Sequence, residues 1–399
     1  MVKPKIRLRG FEGEWEKGLF SAYAKPYFVS NKVVHHQNLL SLSYGKIVRK
    51  DIKANKGLLP ASFDTYQIIK DGIIVFRFTD LQNDHKSLRV GIAKEEGIIS
   101  PAYVCVECEN INPDFFYLQM HTYDMRKLFY SMGDGMRQTL SYNDVKDMPL
   151  YIPSLPEQKA IVEYFNVLEK EITTETENLA KLRQMKSASL ISMFPQVGES
   201  KPRVRFKGFE GEWEKVKLGT LTERINRKSG SDSNAPVMMI SASSGFIEQS
   251  EKYSSDNAGK SLQNYTLLYK GELAYNHGAS KLRQYGSCFE LHVEEARIPY
   301  VYHCFRMKDG NSTFFAYYLN SGIFDPELRK IVSSTARMDG LLNISYEAYM
   351  SIDVYKCSLA EQEKIASFFK SLDKQISIQE QRLEKLKQIK AACLDKMFV

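Results

Sequence analysis

The residues Leu155–Phe194 read LPEQKAIVEYFNVLEKEITTETENLAKLRQMKSASLISMF, and Leu359–Phe398 read LAEQEKIASFFKSLDKQISIQEQRLEKLKQIKAACLDKMF. The two segments align without a gap and share their apolar pattern. Neither contains glycine, and Pro156 stands near the start, where a helix tolerates proline. The sequence therefore predicts two equivalent helices of about forty residues each.

Apolar residues in both predicted helices recur at alternating spacings of four and three, which is the pattern of a coiled-coil seam. The seams consist of Ile161, Phe165, Leu168, Ile172, Leu179 and Leu182, and of Ile365, Phe369, Leu372, Ile376, Leu383 and Leu386. Two such helices in one chain would pair most simply as an antiparallel coiled coil. The alternative is that each helix packs separately on its own domain.

A second repeat lies upstream of each helix. The sequence GFEGEWEK occurs at Gly10–Lys17 and again at Gly208–Lys215, and it contains both tryptophans of the chain, Trp15 and Trp213. The intervening residues 18–140 and 216–343 show little identity to each other. A duplication that keeps its ends while its centres diverge indicates one scaffold that presents two different surfaces. Decay of an old repeat is the alternative, but it would not readily spare both ends.

The repeats predict an α+β protein with two repeated mixed α/β domains joined by two long helices. The expected boundaries are a first domain over 1–154, a first long helix over 155–194, a linker over 195–204, a second domain over 205–357 and a second long helix over 358–399.

The order of these segments resembles the specificity subunits of type I restriction-modification systems. Gly97–Val104 (GIISPAYV) and Tyr275–Phe289 (YNHGASKLRQYGSCF) are also similar to phrases of that family's target-recognition domains. The resemblance implies two target-recognition domains in pseudo-twofold relation, joined by an antiparallel helical pair. It further implies a non-catalytic subunit that reads a bipartite, gapped site in double-stranded DNA.

The same resemblance implies the partners and their cofactors. Two methyltransferase subunits would carry S-adenosylmethionine and methylate adenine at N6, and two restriction subunits could join them with ATP and Mg²⁺. No cofactor is expected on this chain. Two other functions stay open at this point: a self-sufficient DNA methyltransferase or nuclease, and a coiled-coil protein scaffold.

Composition is compatible with this assignment. Among 399 residues, 43% are hydrophobic and 26% charged, and the net charge of +7 mildly favours a polyanionic partner. No apolar run is long enough to span a membrane, so a cytoplasmic protein is expected. The six cysteines are interpreted as reduced thiols.

The long helices would also act as a ruler. Forty residues at about 1.5 Å per residue span roughly 60 Å, or roughly 18 base pairs of DNA. A rigid spacer between two DNA-reading domains predicts two half-sites separated by an unread gap of fixed length.

Candidate DNA contacts in the first domain come from cations and from amide side chains, which bind phosphates and base edges. The richest stretch, Tyr44–Lys56, could instead be a solvated charged face. A second stretch lies in a glycine-punctuated loop, and two arginines flank the polar loop TDLQNDHKSL. The candidates are Lys46, Arg49, Lys50, Lys53, Arg77, Arg89, Arg137 and Gln138.

In the second domain the best segment is Asn276–Tyr285 (NHGASKLRQY), between two strand-like runs. Arg283 could bind guanine through two hydrogen bonds, and Gln284 could pair with adenine. A basic cluster around Arg224 is better suited to phosphate. The candidates are Arg224, Arg227, Lys228, His277, Lys281, Arg283, Gln284, Tyr285 and Arg337.

Segments that resemble catalytic motifs are weak. Asn112-Pro113-Asp114-Phe115 departs from the Asn/Asp-Pro-Pro-Tyr/Phe motif of adenine methyltransferases, because an acid replaces the second proline. No GxxxxGK[ST] loop is present, and Cys105 and Cys108 have no second pair at zinc-binding spacing. Trp15 and Trp213 are interpreted as structural residues that seal each domain against its helix.

Overall fold

The computed structural model describes residues 3–51, 60, 62–79, 81, 88–132, 139–230, 233–249, 259–332 and 342–399. The chain folds as two compact units. The first unit comprises Met1–Thr176 and Gln381–Val399, and the second comprises Glu177–Glu380. Each unit therefore contains one domain, the beginning of the long helix that follows it, and the end of the other long helix.

The first unit contains short strands, short helices and the first long helix. Its strands are β1 (Glu16–Leu19), β2 (Ala24–Pro26), β3 (Leu40–Ser43), β4 (Lys46–Arg49), β5 (Gln67–Ile69), β6 (Ile74–Phe76), β7 (Val90–Ile92), β8 (Gly97–Ile99), β9 (Val104–Cys108) and β10 (Pro149–Ile152). Its helices are α1 (Phe20–Tyr23), α2 (Pro113–Met125) and α3 (Tyr142–Val145), with a 3₁₀ turn at Leu128–Ser131, and α4 (Leu155–Ser192) begins in this unit.

The strands of the first unit pair in antiparallel fashion around one central sheet. This sheet has the order β2-β9-β6-β7, and three two-stranded pairs surround it: β1-β10, β3-β4 and β5-β8. The central strands β6 and β9 are apolar on both faces and bury residues such as Ile74, Phe76 and Val106 completely. Helix α2 packs its buried phenylalanines Phe115 and Phe116 into the same core.

The second unit repeats this plan in the same element order. Its strands are β11 (Glu214–Lys217), β12 (Thr222–Arg224), β13 (Met238–Ser241), β14 (Gly245–Glu248), β15 (Thr266–Tyr269), β16 (Leu273–Asn276), β17 (Ser287–Glu290), β18 (Glu295–Ile298), β19 (His303–Met307) and β20 (Asp353–Lys356). Its helices are α5 (Leu218–Leu221), α6 (Ser312–Leu319), α7 (Asp325–Ile331) and α8 (Tyr346–Met350), with a 3₁₀ turn at Gly259–Asn264, and α9 (Leu359–Met397) begins here.

The sheet topology of the second unit matches that of the first. The central sheet has the order β12-β19-β16-β17, flanked by the pairs β11-β20, β13-β14 and β15-β18. Two mixed domains with one topology confirm the predicted α+β class. The middles of the two halves differ in sequence but not in fold, because the central strands keep their buried positions while the identity of the side chains changes.

The long helices α4 and α9 run antiparallel within each unit. In the first unit, Lys390 pairs with Glu169, and Arg382 pairs with Glu175 at 2.9 Å. In the second unit, Arg183 pairs with Glu380 at 2.6 Å. The twelve predicted seam residues are all buried or half-buried. Helix–helix contact therefore accounts for the four-three periodicity of both segments.

Each domain core is completed by the last turn of a long helix from the other half of the chain. Phe398, at the end of α9, packs against Trp15 and Phe115 in the first unit. Phe194, after the end of α4, stacks on Tyr318 in the second unit with ring centroids 4.7 Å apart. The repeated Met-Phe ending of both helical segments is thus a core element of each unit.

An arginine–glutamate pair clamps the opening motif to the first turn of the long helix. In the first unit, the Arg7 guanidinium donates two hydrogen bonds to Glu157, at 2.8 and 2.7 Å, and a third to the Gly13 carbonyl. The Trp15 indole donates to the same carboxylate at 3.3 Å. Trp15 is buried, as the structural interpretation of the tryptophans predicts.

The second unit contains the same clamp. Arg205 donates to both oxygens of Glu361, at 2.6 and 2.7 Å, and to the Gly211 carbonyl. The glutamates belong to the LPEQ and LAEQ sequences that open the long helices. The glutamates of these sequences therefore have a second role besides helix formation: each forms an ion pair with an arginine that precedes GFEGEWEK.

The glutamine of each LPEQ-like sequence makes a further link. Gln158 accepts from the Asn112 amide at 2.9 Å, and Gln362 accepts from the Asn311 amide at 2.8 Å. Asn112 and Asn311 are the N-caps of α2 and α6. Each long helix is thereby joined to the helix that covers its domain's central sheet. Within the described part of the chain, no helix combines the length and apolarity needed to cross a membrane.

Candidate nucleic-acid interface

Several loops converge at one end of the central sheet in the second unit. Strand β16 ends at Asn276, which lies opposite the first residue of β17, and its neighbour Tyr275 lies opposite His303, the first residue of β19. Strand β12 ends next to the same part of β19. The loop 277–286, the turn 299–302 and the residues after Arg224 therefore lie together. We call this edge the recognition end.

The loop between β16 and β17 contains several hydrogen bonds. Ser280 and Arg283 close a turn, with the Ser280 amide donating to the Arg283 carbonyl at 2.9 Å and the Arg283 amide donating to Ser280 Oγ at 3.0 Å. The Tyr275 hydroxyl donates to the Tyr285 carbonyl. Gly286 has φ +83° and its backbone lies so close to Asn276 that no side chain would fit.

The braced turn exposes a short run of side chains. Lys281, Leu282 and Gln284 are exposed, whereas Arg283 is half-buried. Burial lowers the pKa of the Arg283 guanidinium, which the nearby carboxylate of Asp325 partly offsets. Arg283 Nε is buried and has no hydrogen-bond partner within the described residues. The predicted base-reading positions Arg283 and Gln284 therefore lie on one turn, with Gln284 the more accessible.

His277 is placed differently from its prediction as a DNA contact. Its side chain is buried, with Nδ1 at 2.6 Å from the Leu342 carbonyl and Nε2 at 2.9 Å from the Val301 carbonyl. The ring stacks on His303 with centroids 4.9 Å apart. Because both nitrogens are occupied by backbone groups, His277 supports the recognition end from inside and is not carried into the proposed interface. Tyr285, another predicted DNA contact, is half-buried and packs against the core of the second unit.

The predicted basic cluster around Arg224 is partly neutralised. Arg224 pairs with Glu347 at 3.2 Å and lies over the Tyr346 ring. Arg227 binds Glu272 and lies over a tyrosine ring. Lys228 is exposed, and its amine reaches the Asn264 side chain at 3.4 Å. Lys228 is therefore the cation of this cluster best placed for phosphate.

The corresponding end of the first unit has a different surface. After β2 the chain continues through Phe28 and Val29, which are exposed, where the second unit has Asn226 and Arg227. Arg77 follows β6 and is half-buried. Most of the polar loop between β6 and β7 lies outside the described residues. The first recognition end is thus more apolar than the second in its described part.

The hairpin β3–β4 carries the basic stretch of the first unit. Arg49 is exposed and binds Glu95, with Nε at 2.7 Å from Oε2, and Lys46 lies 3.8 Å from Glu169 of α4. Lys50 is exposed and follows the hairpin directly. Tyr44 occupies the turn and is 75% exposed. The predicted cations are thus at the surface, and two of them are paired with carboxylates.

Arg89 is fully buried, contrary to what a DNA contact requires. Its guanidinium donates to the Thr79 carbonyl at 2.6 Å, and its amide donates to Asp124. Burial raises the pKa of Asp124 to about 6. Arg89 therefore stabilises the interior of the first unit, and we leave it out of the proposed interface. Other candidates lie outside the described residues: Lys53, Arg137, Gln138 and Arg337.

The segments that resemble catalytic motifs have structural roles. The Asn112 side chain accepts from the Phe115 amide at 3.0 Å and caps α2, and Asp114 pairs with Lys94. Burial raises the pKa of the Cys105 and Cys108 thiols to about 12, which disfavours the thiolates that bind zinc. Among the described residues, no group of three or more His, Cys, Asp or Glu is arranged to hold a metal ion.

Sequence reasoning missed the clamp residues Arg7 and Arg205, although a signal was present. Both stand three residues before a GFEGEWEK motif, so extending the repeat comparison upstream would have paired them. It also missed Tyr300, which is exposed on the turn before β19. Only strand pairing places that residue beside the loop 277–286, so its local sequence held no signal.

Comparisons with known proteins support one family. A family model for the type I restriction modification DNA specificity domain matches residues 87–184. The type I restriction-modification S subunit from M. genitalium is 15% identical, with a TM-score of 0.55 and an alignment that covers 100% of this chain and 99% of that one. No curated protein matches the chain.

A second solved structure, which concerns the structural basis of complex assembly and conformational transition of the type I R-M system, contains a similar chain. It is 16% identical, with a TM-score of 0.51 and coverage of 97% of this chain and 98% of that one. Identities this low show a shared fold. Residues 87–184 are thus similar to the type I restriction modification DNA specificity domain, and the whole chain shares the fold of these type I restriction-modification structures.

Proposed function

We propose that this chain reads a bipartite, gapped DNA site and directs adenine-N6 methylation and restriction by partner subunits. One observation carries the proposal. The two units have the same topology, and each presents loops of different chemistry at the equivalent end of its own central sheet. A reader with two unlike heads suits a target with two unlike half-sites. The length of the helices α4 and α9, roughly 60 Å at 1.5 Å per residue, suits a gap of fixed length.

The chain itself is proposed to be non-catalytic. Two methyltransferase subunits would supply S-adenosylmethionine and the methyl transfer, and two restriction subunits would supply ATP-dependent and Mg²⁺-dependent steps. The surfaces offered to DNA would be the recognition end of the second unit, with Lys228 and Lys281 as phosphate contacts and Gln284 as a base contact, and the hairpin β3–β4 of the first unit, where Lys50 would contact phosphate. These cations are exposed, so their approach to a duplex requires no unfolding.

The first test is a methylome. The chain is co-expressed with its methyltransferase subunit in a host without DNA methylation, and N6-methyladenine is mapped across the genome. We expect a gapped, two-part, non-palindromic motif. Replacing residues 216–343 by the corresponding segment of another specificity subunit should change one half-site and leave the other half-site and the gap unchanged. A continuous or palindromic motif would contradict the two-reader model.

A binding experiment separates DNA reading from the alternatives. The affinity of the complex for a duplex that carries the mapped site should fall steeply between 50 and 200 mM salt, because phosphate contacts release counterions. A stable protein complex that forms without salt-dependent DNA binding would favour the scaffold. Methylation by the chain alone would favour a self-sufficient enzyme.

A further inference from the structure

An exposed leucine stands on the loop between β16 and β17, at the recognition end of the second unit. Leu282 is 64% exposed and is one of the two central residues of the turn closed by Ser280 and Arg283. Its neighbours Lys281 and Gln284 are also exposed. Two hydrogen bonds between Ser280 and Arg283 close the turn, and Leu282 lies exposed on it.

The chemistry of the tip fits one feature of a DNA groove. In the major groove each base pair presents hydrogen-bonding groups, and thymine alone adds an apolar methyl group. A leucine that follows an exposed lysine and comes two residues before an exposed glutamine can meet that methyl group while the polar side chains meet phosphate and base edges.

We propose that Leu282 is a specificity-determining residue that reads the 5-methyl group of a thymine in the half-site bound by the second unit. This inference rests on the proposed function and adds a base class to it. Among the described residues of this end, Tyr300 is also 64% exposed and lies on the adjacent turn. It is the natural competitor for the same contact, and the experiment tests both.

The test uses the complex of this chain with its methyltransferase subunits and a duplex that carries the mapped site. Each thymine of the second unit's half-site is replaced singly by deoxyuridine, which removes only the methyl group. For the unaltered chain we expect one position at which binding weakens about fourfold, as for the loss of one buried methyl group. Leu282→Ala should weaken binding to the thymine duplex and abolish the difference between thymine and deoxyuridine there.

Val293→Ala provides the matched control. Val293 is 42% exposed and lies in the turn that follows β17, at the opposite end of the sheet. It should keep the full thymine preference. Circular dichroism and thermal unfolding of both variants check that the turn change leaves the fold intact, as expected for a side chain that packs against little.

Several results would overturn the inference. They are a half-site without thymine, deoxyuridine substitutions without effect, or a Leu282→Ala variant that keeps the thymine preference. If Tyr300→Ala loses the preference for thymine over deoxyuridine and Leu282→Ala keeps it, the contact belongs to Tyr300 instead. In each case salt-dependent, site-specific binding still supports the proposed function. Absence of any site-specific binding would overturn both.

Discussion

The two units have one backbone plan and two different surfaces. The central sheets β2-β9-β6-β7 and β12-β19-β16-β17 have equivalent strand orders. At the recognition end, however, the first unit exposes Phe28 and Val29, whereas the second has Asn226 and Arg227 at the equivalent places. The difference indicates that the framework tolerates replacement of the loop chemistry without a change in strand pairing.

The same contrast extends below the surface. Phe78 of the first unit stacks on Phe76 at 4.9 Å, and the equivalent residues of the second unit are His277 and Tyr275. An apolar stack is thus replaced by a histidine whose ring nitrogens lie 2.6 and 2.9 Å from two backbone carbonyl oxygens. What the units share instead is the clamp between the opening motif and the long helix, together with the Met-Phe ending. Stability is expected to depend on these shared parts in both units.

The largest expected effect concerns the helix endings. Phe398→Ala should destabilise the first unit, and Phe194→Ala the second, by about 3 to 5 kcal/mol each, because a buried aromatic ring is lost from a packed core. Both rings are at most 3% exposed. Hydrogen exchange resolved by mass spectrometry should show faster exchange confined to the unit that contains the substitution. Equal acceleration in both units for either variant would mean that the units do not unfold separately.

The clamp gives the next largest effect. Arg7→Ala leaves the buried Glu157 carboxylate without its ionic partner and should destabilise the first unit by about 3 kcal/mol, and Arg205→Ala should do the same in the second. Urea unfolding measures the change. Arg9→Ala, a nearby exposed arginine, is the control and should change the free energy of unfolding little. If Arg7→Ala matched this control, the clamp would have no structural importance.

A pH effect should separate the two units at one equivalent position, which is His303 in the second unit and Val104 in the first. Burial lowers the pKa of His303 to about 4, below the value near 6.5 of an unfolded chain. Between pH 6.5 and 4, His303 is protonated in the unfolded chain but neutral in the folded one. The free energy of unfolding is therefore unaffected by this residue above pH 6.5 and decreases as the pH falls from 6.5 to 4. His303→Val, which copies Val104 of the first unit, should reduce this acid sensitivity by about 2 kcal/mol.

Urea unfolding at pH 7 and at pH 4 measures that difference. Val104 lies opposite Phe76 in the first unit, as His303 lies opposite Tyr275 in the second, so the two positions are equivalent. The variant therefore gives the second unit the first unit's residue at this position. Identical pH profiles for the variant and the unaltered chain would show that another group controls the acid response of the second unit.

The smallest expected effect compares two ion pairs between the helices. Arg382 of the first unit binds Glu175, whose side chain is 9% exposed, whereas Arg183 of the second binds Glu380, which is 45% exposed. Arg382→Ala should cost about 1.5 kcal/mol and Arg183→Ala about 0.5 kcal/mol or less, because solvent screens the exposed pair. Thermal unfolding at low and high salt measures both. A larger loss of stability for Arg183→Ala than for Arg382→Ala would show that the more buried ion pair is not the stronger one.

Much of the architecture followed from local pattern. The period of the apolar residues predicted both long helices, and the structure gives Leu155–Ser192 and Leu359–Met397. The repeated motifs predicted two domains with one fold. The candidate site was harder to predict, because a sequence marks cations but not their partners. Arg89 and His277 read as DNA contacts, yet both side chains are buried and bound to backbone carbonyls.

The sequence by itself determined the duplication, the helices and the segment between β16 and β17 as a candidate reader, because periodicity and repetition are local properties of a chain. Only the tertiary structure decided which residues share the recognition end, since the pairing of β16 with β19 places the loops of Leu282 and Tyr300 at the same end of the sheet. It also decided that each domain core closes on a phenylalanine from the other half of the chain. Burial and strand pairing depend on residues distant in sequence, and no local pattern records them.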